Sequence, residues 1–226
     1  MSFQGFDPAV IDFMWGLRFN NSREWFEPRK AEYKEIFETP MKELCRELYA
    51  GYADKHSDLP LVSRVSRIYR DARRLFGRGP YKDHLWLTVA APSERWSCQP
   101  VFWFELCPEN YSMGLGYWMA QASTMAKLRA RIDRDPKPVE KLARAVERRG
   151  EFVMDGQAYK RPKGDPGALL YSWYNSRQIS FSRACNCEGV FFTSELANQV
   201  LEGWRSLVPQ YKFLCALPGD PEPNVT

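Results

Sequence analysis

The fold is decided by residues 101–118, which read VFWFELCPENYSMGLGYW. Aromatic residues, with one β-branched valine, recur in the two halves, Val101–Leu106 and Tyr111–Trp118, and such residues are typical of strands. The short CPEN connection between them predicts an antiparallel pair, because parallel strands need a crossover of about a dozen residues.

The same strand pattern occurs twice upstream, at Val62–Arg70 and Leu85–Ala91. Short loops join the last three of these four strands, which indicates an antiparallel meander. Further along, Asp155-Gly156 stands between FVM and QAY, an arrangement typical of a two-residue hairpin turn.

Apolar residues at helical spacing precede the strands. Asp7 and Pro8 are predicted to begin the first helix. Asn21 with Glu24 has the layout of a capping box, which opens a second helix that should stop before Pro40.

Helical spacing returns after the strands and ends at Gly150, and Ser194 is predicted to cap a last helix. We therefore expect an α+β protein, in which an antiparallel β-sheet meander is flanked by N-terminal and C-terminal helices. The expected organisation is a single domain over residues 1–217 with a flexible tail over residues 218–226.

Composition limits the classes of protein. The chain has 226 residues, of which 44% are hydrophobic and 27% charged, so it is not a disordered chain, a collagen or a coiled coil. No apolar run approaches the roughly 18 residues of a membrane span, and the first residues lack an export signal. Six cysteines without a CxxC pair indicate reduced thiols, so we expect a cytoplasmic protein with no membrane partner.

The strongest chemical pattern is a basic segment over residues 64–82, although the net charge of the whole chain is only +4. In an extended strand, alternation places Arg67 and Asp71 on the more aromatic face, and we expect both to be buried in one polar cluster with Glu105. Either an internal ion pair orders the sheet, or guanidinium groups bind the phosphate or carboxylate of a ligand. The basic residues of the segment are Arg64, Arg67, Arg70, Arg73, Arg74, Arg78 and Lys82.

Other candidate residues surround this segment. Asp71 and Glu105 are the candidate catalytic carboxylates, as general acid or base. Gly114 and Gly116 leave part of a strand face without side chains, which either receives a packed helix or lets a ligand approach. The candidate ligand-binding residues are Asn21, Glu24, Trp25, Arg67, Arg70, Arg73, Tyr81, Lys82, Gly114, Gly116 and Arg129.

Neither a cofactor nor a metal is indicated by the motifs. His56 and His84 are isolated in sequence and match no triad or metal spacing. Cys185 and Cys187 form only a CxC, without the second pair of ligands that a zinc site needs. The cofactor, the metal requirement and the oligomeric state are left open.

Six motifs together resemble a mainly bacterial family of uncharacterised proteins, domain of unknown function 2461. The resemblance runs through nearly the whole chain and implies an α+β protein, but it implies no established activity. Members typically read RDTRFSKDKSPYK where this chain has RDARRLFGRGPYK, so Arg70, Asp71, Arg73 and the PYK match while the middle of the segment differs. The motifs are NNSREWF (20–26), SRIYRD (66–71), GPYK (79–82), GLGYW (114–118), KLRARID (127–133) and KRPKG (160–164).

Three classes of function are compatible with these residues. The leading interpretation is an arginine-lined pocket for a small anionic ligand, with or without catalysis. The first alternative is a nucleic-acid-binding protein whose basic residues track phosphates while Tyr81 or Trp25 stacks on bases. The second alternative is a protein interaction module with exposed tryptophans as anchors.

Overall fold

The computed structural model describes residues 2–53, 61–94 and 96–223, so His56 lies outside the described residues. The α-helices are α1 (Ala9–Phe19), α2 (Arg23–Phe26), α3 (Lys30–Tyr33), α4 (Thr39–Ala53), α5 (Ala122–Arg134), α6 (Lys137–Arg149), α7 (Tyr171–Asn175), α8 (Glu195–Ser206) and α9 (Val208–Ala216). The strands are β1 (Val62–Val65), β2 (Leu85–Ala90), β3 (Pro100–Leu106), β4 (Tyr111–Tyr117), β5 (Val153–Met154) and β6 (Ser180–Cys185).

The six strands form one antiparallel sheet in the order β1-β2-β3-β4-β6-β5. The first four strands are neighbours in chain order, which is the predicted meander. The predicted α+β class is therefore confirmed.

Strand β1 is shorter than predicted because its pairing with the next strand is interrupted. Val65 pairs with Leu87, and pairing resumes only at Tyr69 opposite Tyr81. Residues 66–68 thus lie opposite residues 82–86, two residues more, so the second chain bulges. This bulge carries Lys82, Asp83 and His84, and it is the feature of the fold that builds the site described below.

The second predicted helix consists of α2 and α3, both of which end before Pro40, and a new helix, α4, begins at Thr39. Residues 34–38 form one wide turn, in which the Thr39 N–H donates to the carbonyl of Lys34 five residues earlier, and α4 follows directly. A proline ring clashes with the carbonyl four residues before it in a regular α-helix, and a wider turn relieves that clash.

The predicted hairpin at Asp155-Gly156 is wrong. Its two flanks do not pair with each other, because Met154 pairs with Phe181 and Ala158 forms a bridge with Ser176. Both flanks therefore lie along the same neighbouring segment. Gly156 is needed there because a Cβ atom would overlap the carbonyl of Gln178.

The chain divides into two compact units. The first comprises residues 1–91, 103–113 and 184–202, and the second comprises residues 92–102, 114–183 and 203–226. In the first unit, the ring of Phe191 stacks 4.9 Å from Phe6 and 5.4 Å from Tyr111. In the second unit, Phe102 packs 4.8 Å from Tyr211.

The second unit also holds residues of the predicted tail. The Lys127 ammonium lies 2.9 Å from the Glu222 carboxylate, and Arg131 forms a two-bond ion pair with Asp220. None of the helices in the described ranges has the length and apolar character needed to cross a membrane.

Candidate anion-binding site

Asn21 fixes the turn that precedes the bulge. Its side-chain amide donates to the Tyr81 carbonyl at 2.9 Å, and its carbonyl accepts from the Tyr81 N–H at 3.0 Å. The predicted capping role of Asn21 is therefore wrong, because Ser22 is the N-cap of α2 and accepts from the Trp25 N–H. Both residue types are good caps, and the contact with Tyr81, sixty residues away, cannot be predicted from local spacing.

Tyr81 is held in the first unit by contacts of both its side chain and its backbone. Its side chain is buried and its ring stacks 4.1 Å from Phe26, so burial raises the pKa of its phenol. Its main-chain carbonyl also accepts a 2.7 Å hydrogen bond from Arg70 Nε. Tyr81 thus positions neighbouring polar groups through its backbone, and its own hydroxyl group is not offered to a ligand.

Asp83 is the anionic centre beside this turn. Its carboxylate forms an ion pair with Arg18 on α1 and lies 3.5 Å from Arg70 Nη2. Arg18 in turn binds Glu109, with Nη2 3.1 Å from Oε2. We call Arg18, Arg70, Asp83, His84 and Glu109 the Asp83 network.

His84 completes the network. Its Nδ1 lies 3.0 Å from Asp83 Oδ1, an arrangement that favours a proton on Nδ1. The hydrogen bond from His84, followed by that from Arg18, lowers the pKa of Asp83 well below its usual range, although burial acts in the opposite direction. His84 Nε2 points towards Glu105, 3.8 Å from Oε1.

Lys82 differs from the arginines of the basic segment. Its side chain is half-buried, and Nζ lies 5.8 Å from the centre of the Trp86 ring. Burial, followed by the charges of Arg70 and Arg67, lowers the pKa of Lys82 to about 8, and the charge of Glu105 offsets only part of this. Among the described residues no carboxylate forms an ion pair with Lys82, so the charge of Glu105 compensates that of Lys82 only in part.

The prediction that Arg67 is buried is wrong. Its side chain is exposed, and in this part of the chain Ser66 and Ile68 are the buried residues. The face chosen as the more aromatic one is the outer face, where Tyr69 is 50% exposed. Arg67 forms no ion pair within the described ranges, and its charge is close enough to Lys82 to lower the pKa of that lysine.

The prediction of a buried Asp71 is also wrong. Asp71 is exposed and accepts from the Arg73 N–H at 3.0 Å, and its carboxylate binds the Arg73 guanidinium at 2.8 Å. It therefore caps a short turn, and the carboxylate that compensates Arg70 is Asp83 instead. An aspartate two residues before an arginine at a turn favours this local pairing over a long-range one.

The remaining candidate residues have separate surroundings. Glu24 is exposed at the start of α2, where hydrogen bonds to its own backbone N–H and to Ser22 lower its pKa. Trp25 packs on α1, since a side chain at Gly16 would meet its ring at 2.8 Å. Arg129 lies on α5, with its guanidinium 5.5 Å from the ring of Tyr159.

The two glycines of β4 lie inside the protein, and at least one of them allows a neighbouring strand to come close. Both Gly114 and Gly116 are buried. A Cβ atom on Gly116 would lie 2.6 Å from the Cα of Ser180, so this glycine allows close approach of the neighbouring strand β6. The neighbour that comes close at Gly116 is thus a strand, whereas the sequence had offered a packed helix or a ligand.

Sequence reasoning identified neither Arg18 nor Asp83 nor Glu109, and it assigned His84 to no triad or metal site. Arg18 and Glu109 lie 91 residues apart, so their pairing leaves no local pattern. The one available sign was the KDH run after the PYK turn, which places a cation, a carboxylate and an imidazole side by side.

Comparison with protein families decides the relationship of the chain. The family model described as conserved hypothetical protein (DUF2461) matches residues 9–213. The chain belongs to the DUF2461 family. The resemblance seen in the motifs is thereby confirmed, and the matched range includes the Asp83 network, Arg67 and Lys82. No curated protein matches this DUF2461 chain.

Proposed function

We propose that this protein binds a small ligand that carries a phosphate or carboxylate group, and that Lys82 and Arg67 hold that group. The observation that carries the proposal is the half-buried ammonium of Lys82, which has two arginines beside it and no carboxylate paired with it among the described residues. We call Lys82 and Arg67 the anion-binding pair.

The electrostatics of the first unit support this choice. Arg70 contributes positive charge next to Lys82 but is itself compensated by Asp83. A cation that is partly removed from water and repelled by its neighbours is unfavourable, and a bound anion relieves both effects. The free energy of binding an anion should therefore be more favourable at Lys82 than at an ordinary surface lysine.

Three other arginines have carboxylate partners. Arg73 is paired with Asp71, Arg18 with Asp83 and Glu109, and Arg131 with Asp220. A binding site for a long polyanion needs a row of uncompensated cations, and the salt dependence of its affinity increases with the number of phosphates bound. The compact pair favours a small anion over a nucleic acid.

Calorimetric titration tests the proposal. Inorganic phosphate and citrate should bind wild type and Lys160→Met alike, because Lys160 is an exposed lysine that is not a member of the pair. Lys82→Met should lower the affinity about tenfold, the loss of one partly desolvated charge contact. No binding by wild type, or equal binding by Lys82→Met, would refute the proposal.

A short DNA duplex is the matched probe for the alternative function. For the proposed site, the affinity for phosphate should depend only weakly on salt, and the duplex should not compete with it. Duplex binding that weakens steeply with salt, and that Lys82→Met abolishes, would favour the nucleic-acid function instead.

A further inference from the structure

The environment of Lys82 has a chemical consequence beyond attraction of an anion. Lysine amines react with aldehydes and ketones only in their uncharged form, and proteins produce that form by burying the lysine or by placing another cation beside it. Lys82 combines both conditions, since it is half-buried and has an arginine on either side of its backbone contacts. Its N–H donates at 2.7 Å to the carbonyl of Ile68, the residue after Arg67. Arg70 Nε donates at 2.7 Å to the carbonyl of Tyr81, the residue before Lys82.

We infer that Lys82 forms a Schiff base with a carbonyl compound that also carries a carboxylate or phosphate group. This inference rests on the proposed function, since Arg67 would hold the anionic group while the Lys82 amine faces the carbonyl carbon. Trp86, whose ring centre is 5.8 Å from Nζ, provides an apolar wall on one side of the amine.

The step is balanced without an oxidant or a reductant. The lone pair of Lys82 Nζ attacks the carbonyl carbon, and the carbonyl oxygen takes up a proton to give a carbinolamine. The hydroxyl group then leaves as water after a second proton is delivered, and a C=N bond remains. Of the two protons that the oxygen receives, one comes from Nζ and the other from a neighbouring acid. The positive charge of that second proton remains on the protonated imine.

Two neighbouring groups suit the proton transfers. Glu105 is near enough to Lys82 for its charge to act on the ammonium. His84 Nε2 lies 3.8 Å from the Glu105 carboxylate, a separation longer than a direct hydrogen bond, and Asp83 orients the imidazole from the other side. Glu105 is therefore the group we assign to carry protons to and from the carbinolamine oxygen, with His84 as its positioning residue.

The pKa of Lys82 sets the size of the expected effect. With a pKa of about 8, roughly a tenth of the Lys82 amine is uncharged at pH 7, against fewer than about one in a thousand for a lysine at its usual value. Because an amine of lower pKa is also a weaker nucleophile, we expect Lys82 to react about tenfold faster than an exposed lysine.

Reductive trapping tests the inference on the whole chain. The protein is incubated with glyoxylate and borohydride at pH 7, and carboxymethyl groups are located by peptide mass spectrometry. We expect about tenfold more modification at Lys82 than at the exposed Lys141 and Lys160. Arg67→Gln should reduce the modification of Lys82 by glyoxylate several-fold without changing that of Lys160.

Acetaldehyde, which has no anionic group, separates the two parts of the inference. Lys82 should still exceed the exposed lysines with acetaldehyde, but by less than with glyoxylate. Equal modification by both probes would overturn the anionic class of the carbonyl compound. Modification of Lys82 no greater than that of Lys160 with either probe would overturn the Schiff base itself.

Failure of this inference can be distinguished from failure of the proposed function. If phosphate binds through Lys82 while neither aldehyde modifies that residue preferentially, the Schiff base is refuted and anion binding stands. If phosphate does not bind and does not protect Lys82 from glyoxylate, the proposed function is refuted, and the anionic class of the carbonyl compound falls with it.

Discussion

At the scale of single residues, the first unit contains two neighbouring ionisable groups, of which one has partners of opposite charge and the other has none in an ion pair among the described residues. Asp83 is surrounded by Arg18, Arg70 and His84, whereas Lys82, next to it in the chain, has no paired carboxylate within the described residues. The carboxylate therefore stabilises the fold, and the ammonium is available to a ligand at a cost in stability. Both effects depend on pH in directions that can be measured.

Replacing Lys82 should stabilise the protein. The folded state lowers the pKa of Lys82 to about 8, so the native protein releases this proton at a lower pH than the unfolded chain. The charge on Lys82 lowers the free energy of unfolding. This loss is fully present below pH 8 and disappears as the pH rises towards 10.5, the usual pKa of lysine. Because the side chain is partly in solvent, we expect a gain of about 1 kcal/mol for Lys82→Met at pH 7.

Urea unfolding at several pH values measures this effect. The gain in unfolding free energy should shrink between pH 8 and pH 10, and Lys160→Met should show no gain at any pH. A Lys82→Met variant less stable than wild type at pH 7 would show that the lysine is compensated in solution.

Asp83→Asn should destabilise the protein, because it leaves Arg70 without its carboxylate and weakens the binding of Arg18. Removal of one partner from a buried ion pair costs about 3–5 kcal/mol, and for this partly exposed network we expect about 2–3 kcal/mol. Glu109→Gln is the control, since Glu109 is half-exposed and its pair with Arg18 should contribute less than about 1 kcal/mol.

The pH dependence of Asp83 has the opposite sign to that of Lys82. The pKa of Asp83 is lowered in the folded state, so its contribution is fully present above its unfolded pKa of about 3.9 and is lost at lower pH. The difference between wild type and Asp83→Asn in thermal melts should therefore be constant at neutral pH and shrink below about pH 4. A difference unchanged down to pH 2 would contradict this assignment.

At the scale of elements, the contact between α2 and the turn before the bulge holds the site in place. Asn21→Ala removes two hydrogen bonds to the backbone of Tyr81 and should cost about 2–3 kcal/mol, including the penalty for an unsatisfied buried N–H. Ser22→Ala, which removes only the helix cap, should cost about 1 kcal/mol. Chemical denaturation of both variants makes the comparison, and equal losses would contradict the role given to Asn21.

Gly77 and Gly79, the two glycines of the basic segment, should differ in how much stability is lost when each is replaced by alanine. At Gly79 a Cβ atom would overlap Asn21, so Gly79→Ala should disturb the Asn21–Tyr81 contact and cost more than about 2 kcal/mol. Gly77 has a φ of +76° and open space around it, so Gly77→Ala should cost only about 1 kcal/mol of backbone strain. Thermal melts that rank the two variants in the reverse order would argue against the packing of Asn21 on this turn.

The sequence predicted strands and helices better than it predicted the contacts of the site. Alternating and aromatic residues identified β3 and β4 almost to the residue, since their pattern is set by burial within the sheet. Alternation failed beyond Val65 because the opposite chain bulges, and that bulge has no local pattern. Arg70 and Lys82 were found as members of a basic segment, but the pairing of Asp83 with Arg70 and with Arg18 on α1 exists only in the folded chain.

At the scale of the whole molecule, the net charge of +4 does not show which basic residues have a carboxylate partner. Ion pairs compensate the basic residues Arg131 and Lys127 of the second unit, with Asp220 and Glu222. In the first unit, Lys82 and Arg67 lack such pairs among the described residues. The overall charge therefore says little about the ligand, and the local imbalance at Lys82 carries the account.

The most direct test of that account is the titration of Lys82 itself. Lysine amines labelled by reductive dimethylation with ¹³C report their pKa by NMR, and Lys82→Arg identifies the signal. Without added anion we predict a midpoint near pH 8, and with saturating inorganic phosphate we predict a rise of about one unit or more, because a bound anion favours the charged amine. A midpoint at the usual 10.5, unchanged by phosphate, would contradict this prediction.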